Sequence, residues 1–121
     1  GNIVLLLIGT NDLLNLRLST EKFINVYLDI IDKIIERGCN IIIATLPPIE
    51  SIILYGDDPE YRRKKYNKQL RLISKKKGVE LIELTHLDKE LLIDGVHFGP
   101  EGYYQIAKVW YKKLSCFFRS C

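Results

Sequence analysis

Apolar residues follow two alternating patterns along this chain. Ile3-Val4-Leu5-Leu6-Leu7-Ile8 and Ile41-Ile42-Ile43-Ala44-Thr45-Leu46 are short runs without polar alternation. Such runs read as strands buried on both faces of a parallel sheet. Glu80-Leu81-Ile82-Glu83-Leu84 is a third, shorter candidate strand. Between the first two, Phe23, Val26, Tyr27, Ile30, Ile31, Ile34 and Ile35 recur at helical spacing, with Asp29, Asp32, Lys33 and Glu36 opposite. That predicts an amphipathic helix, opened by Ser19 or Thr20 as N-cap and closed by Gly38. A second helix is predicted from Pro59, capped by Asp58, to about Lys77 before Gly78. A third starts at Pro100 behind Gly99 and places Tyr103, Ile106, Ala107, Trp110 and Leu114 on one face, read as core packing.

Strands alternating with helices predict an α/β fold with a parallel sheet. The chain has 121 residues, 47% of them hydrophobic and 27% charged, which suits one folded domain and not a disordered segment. No apolar run exceeds six residues, so no membrane span is expected. The 3 cysteines are an odd number without metal-type pairing, and no Asn-x-Ser/Thr acceptor is present. A reducing, cytoplasmic setting is the expectation. The sequence begins Gly1-Asn2 and contains no methionine, which suggests part of a longer product.

Candidate chemistry sits in two stretches. Asp94-Gly95-Val96-His97-Phe98-Gly99-Pro100-Glu101-Gly102-Tyr103 sets a carboxylate three residues before a histidine, in a glycine-rich loop that runs into a helix. An aspartate bonded to one imidazole nitrogen fixes the tautomer and leaves the other nitrogen as a base. Gly9-Thr10-Asn11-Asp12 follows the first strand, where ligands bind in open α/β sheets. An asparagine there can aim its amide N–H at a developing oxyanion.

Gly-x-Asn-Asp after a strand, with Asp-x-x-His before the last helix, resembles the SGNH (GDSL-type) hydrolases over nearly the whole chain. The resemblance implies a flavodoxin-like three-layer sandwich. Residues 1–121 would be its C-terminal part, from the third strand onward, lacking the first two. It also implies hydrolysis of a small-molecule carboxylic ester by a Ser-His-Asp mechanism without metal or organic cofactor. His97 would be the base, Asp94 its orienting partner, and Gly9 and Asn11 the oxyanion turn. In the family a proline-containing loop after the next strand lines the substrate cleft, which would place Pro47 and Pro48 there. The family's Gly-Asp-Ser block is absent: none of Ser19, Ser51, Ser74, Ser115 and Ser120 follows Gly-Asp after a strand. The family's oxyanion glycine after its second strand is absent too. Gly56-Asp57-Asp58 carries Asp where serine is needed and lies in a predicted loop. The nucleophile would thus lie upstream, this chain alone would be inactive, and its first strand would be an edge open to pairing.

A second reading stays open. Lys64, Lys68, Arg71 and Lys75 form one stripe on the middle helix, and Arg62, Arg63 and Lys65 add to its charge. Such a stripe can track phosphates, and some SGNH-like domains, such as the OSK domain of insect germ-plasm proteins, lack the nucleophile and bind RNA. A net charge of only +3 favours a plain solvated face. His86 has no partner at useful spacing and reads as a loop residue.

Overall fold

The computed structural model describes residues 2–9, 19–50, 59–94 and 97–118. Strands β1 (Ile3–Leu6), β2 (Asn40–Ala44) and β3 (Glu80–Ile82) form a parallel sheet in the order β1-β2-β3. Among the described residues the α-helices are α1 (Thr20–Glu36), α2 (Pro59–Lys77) and α3 (Pro100–Phe118). All three strands are shorter than their apolar runs. Beyond Ala44 the chain exchanges ladder partners for side chains, beginning at Thr45 and Leu46.

The continuous apolar pattern of β2 has the expected cause. Ile41 and Ile43 pack on one side with Phe23, Tyr27 and Ile31 of α1 and with Tyr66, Leu70 and Ile73 of α2. Ile42 and Ala44 pack on the other side with Ile82, Leu84, Leu87, Phe98 and Ile106. Helices α1 and α2 therefore cover one face and α3 the other, giving a three-layer α/β sandwich of flavodoxin-like type. β1 lies at the sheet edge, with Leu5 exposed.

Helix ends follow the sequence closely. Ser19 caps α1, its hydroxyl accepting from Lys22 N at 3.1 Å. Gly38, at φ +75°, closes it: Gly38 N donates to Ile35 O and Cys39 N to Ile34 O, the Schellman arrangement. Gly78 closes α2, with Val79 N donating to Ser74 O. Asp58, the expected cap of α2, lies outside the described residues.

Two faces differ from the sequence reading. In α1, Val26 and Ile35 are exposed, because the buried stripe runs through Phe23, Tyr27 and Ile31, with Ile24, Leu28 and Ile34 packed at its margins. In α3, Tyr103 and Ala107 are exposed, while Ile106, Val109, Trp110 and Leu114 pack on the core. The buried stripe is rotated because Gly102, not Tyr103, sits beneath Phe98.

Candidate active site

The connections that follow the three strands carry the candidate residues. Gly9, three residues past β1, has φ +127°, where side chains are strained. A Cβ there would also lie 2.8 Å from the Phe23 ring and 3.2 Å from Leu46. Glycine is thus required twice over, by backbone conformation and by the close approach of the Phe23 ring, with Leu46 of the next connection beside it. Asn11 lies outside the described residues.

After β2, Thr45 and Leu46 are held by side chains. Thr45 N still donates to Ile82 O, while the Thr45 hydroxyl donates to Glu83 and accepts from Leu84 N. Leu46 bonds through both backbone groups to Asn67 of α2: its N donates to Oδ1 at 2.6 Å and its O accepts from Nδ2 at 3.1 Å. Arg63 Nη1 donates to the same Leu46 oxygen at 3.0 Å. Glu60 grips Arg63 through two bonds and accepts from Ile49 N. Burial pushes the Glu60 carboxyl up, but bonds from Arg63 and Ile49 and the nearby cations outweigh it, leaving the group below its ordinary value. Pro47 and Pro48 are buried within this clamped loop.

The third connection carries the pair marked in the sequence. His97 Nδ1 and Asp94 Oδ2 are 2.7 Å apart, and Asp94 Oδ1 accepts from His97 N at 2.6 Å. One carboxylate therefore fixes both the backbone and the ring of the histidine. Nε2 has no hydrogen-bond partner among the described residues. The loop is closed on itself by a bridge between Leu92 and Phe98, by Ile93 N donating to His97 O, and by Gly99 N donating to Leu91 O. Both side chains of the pair are more than half exposed, at 61% for His97 and 51% for Asp94. An exposed pair of this kind contributes little to stability, so folding alone gives little reason for the arrangement.

The profile of the GDSL-like Lipase/Acylhydrolase family matches residues 1–105. The chain belongs to the GDSL-like lipase/acylhydrolase family. A search of curated proteins returned no match. The match spans Gly9, the Leu46 loop and the Asp94–His97 pair together, and so covers all three strand-end connections. Membership gives the chain an acylhydrolase-type framework. No helix among the described residues is long and apolar enough to cross a membrane, and none of their His, Cys, Asp and Glu side chains group into a candidate metal site.

The basic helix looks different in the folded GDSL-like chain than in its sequence. Arg62 and Arg63 are buried, Arg62 bonding the Tyr66 hydroxyl and Arg63 the Leu46 loop. Arg71 is tied to Glu83 by two bonds. The expected stripe is thereby reduced to Lys64, Lys68 and Lys75, none of them buried. His86 is exposed in the connection after β3, as expected of a loop residue. What the sequence reading overlooked is the polar half of the α2 interior. Arg63 and Asn67 share the stripe of Tyr66, Leu70 and Ile73, and polar residues at core spacing are the signal that marks them.

Proposed function

We propose that this chain supplies the base, its orienting carboxylate and an oxyanion donor of an SGNH-type ester hydrolase. The nucleophile would be the serine of a Gly-Asp-Ser segment outside residues 1–121. The observation that carries the reading is the doubly bonded Asp94–His97 pair, whose Nδ1 contact leaves Nε2 available. In the reaction, the serine oxygen attacks the ester carbonyl while its proton passes to His97 Nε2. Asp94 stabilises the imidazolium, and the Asn11 amide donates to the tetrahedral oxyanion. Collapse expels the alcohol oxygen, which takes the proton from His97. Water then repeats the sequence on the acyl-enzyme and releases the acid. Gly9 would set the turn that carries Asn11, and the Pro47–Pro48 loop would border the ester. The substrate is a small-molecule carboxylic ester.

The test is hydrolysis of a short-chain nitrophenyl ester by a chain that joins a Gly-Asp-Ser segment to residues 1–121. His97→Ala is expected to lower kcat by on the order of 10⁴-fold, and Asn11→Ala by roughly a hundred- to a thousand-fold. Activity indifferent to His97 overturns the proposal.

RNA binding is the weaker reading, because Arg62, Arg63 and Arg71 are engaged within the protein and three lysines remain of the stripe.

A further inference from the structure

We propose that Gly102 is a positioning residue for His97, acting through Phe98. The catalytic meaning of this inference rests on the hydrolase reading, although its geometry does not. Gly102 lies in the first turn of α3, buried under the Phe98 side chain. A Cβ on it would stand 2.5 Å from Phe98 Cβ and 2.7 Å from Cγ, inside any real contact distance. These atoms are the root of the side chain, so the ring cannot swing clear without moving the backbone of residue 98.

Phe98 has little room to move. It is 5% exposed and packs with Ile82, Leu84, Leu87 and Ile106, and the edge of Tyr103 meets it at 6.5 Å. With Gly99 as N-cap, Phe98 and Tyr103 occupy the two positions of a hydrophobic staple that sets how the chain enters the helix. One peptide earlier lies His97, whose exposed ring is held by Asp94. Displacing Phe98 therefore displaces the histidine directly.

Neither backbone conformation nor helix propensity accounts for the glycine. Its backbone is ordinary right-handed helix, so no left-handed conformation demands it. Helix propensity favours alanine over glycine. The three atoms nearest to a Cβ there all belong to Phe98.

The experiment is imidazole nitrogen NMR of His97 in the full chain, comparing wild type with Gly102→Ala, which displaces Phe98, and Phe98→Ala, which removes its ring. Wild type is expected to hold the Nδ1-protonated tautomer set by Asp94, and each variant to give mixed tautomers. In an ester-cleaving chain, kcat should fall with the signature by roughly a hundred-fold. A wild-type signature in either variant overturns the proposal, and so does failure of both to fold. Absence of ester hydrolysis would sink the hydrolase reading without touching the tautomer result, so the two failures are distinguishable.

Discussion

Tyr27 takes a hydroxyl into the interior of the α1 side, 1% exposed, where it finds no hydrogen-bond partner among the described residues. Burial pushes its phenol well above the ordinary range, so it stays neutral. The ring is favourable: it meets Phe23 at 5.6 Å, and Phe23 stacks on Tyr66 at 4.2 Å. Only the oxygen is a liability. Tyr27→Phe is expected to stabilise the fold by about 1 kcal/mol, because an unsatisfied polar group leaves the core while the ring remains. Urea denaturation reads this directly, and a destabilised variant would mean that the hydroxyl is satisfied in solution. Nothing in the sequence distinguishes Tyr27 from Phe23 or Ile31 on the same stripe. The orphan hydroxyl depends on what α2 places opposite it, and residue spacing does not carry that.

At the scale of elements, α2 acts as a side-chain strand for the end of β2. Asn67 satisfies both backbone groups of Leu46 as a neighbouring strand would, and Arg63 with Glu60 extends the grip to Ile49. Asn67→Ala should destabilise the protein by about 2–3 kcal/mol, since it leaves the Leu46 amide buried and unpaired. The Leu46 oxygen keeps Arg63, which limits the loss. Urea midpoints would show this, with hydrogen exchange at Leu46 rising more than at Ile42. Helix boundaries are legible in the sequence because Ser19, Gly38, Gly78, Gly99 and Pro100 act through local chemistry. Strand ends are not, because the ladder stops where Thr45, Glu83 and Asn67 outcompete it from distant parts of the chain. The basic reading of α2 is weakened for a related reason. Arg63 is a cation in sequence and a backbone donor in the fold.

At the scale of the whole molecule, two carboxylates tie the layers together. Glu83, just past β3, is bonded by Arg71 of α2 and lowered below its ordinary value by that bond, with burial opposing and Thr45 adding to it. Glu60 is lowered as well. A carboxyl depressed in the folded state contributes stability that is present above the unfolded value, about 4.3. It is lost as pH falls through the lower folded value. Thermal stability should therefore fall as pH drops below about 4.3, and Glu60→Gln with Glu83→Gln should flatten that fall. Melting curves from about pH 7 to pH 3 test it, and an unchanged slope in the double variant would refute it. Glu83 is 42% exposed, so solvent screening makes Glu60 the larger contributor. The three-layer order is readable because β2 lacks polar alternation and α1 and α3 each carry an apolar stripe. The Asp94–His97 bond is readable because its partners are three residues apart.

That closeness has a kinetic consequence. The Leu92–Phe98 bridge, the Ile93–His97 bond and the Asp94–His97 pair join residues separated by only a few positions, whereas the sheet pairs residues some forty apart. A loop of about ten residues closes in roughly 10–100 ns, far ahead of the non-local pairing that limits folding in such topologies. The histidine turn and the seating of Phe98 on Gly102 thus belong to the early, low-contact-order part of the folding reaction, and the packing of Phe98 on Ile82 and Leu84 follows with the sheet.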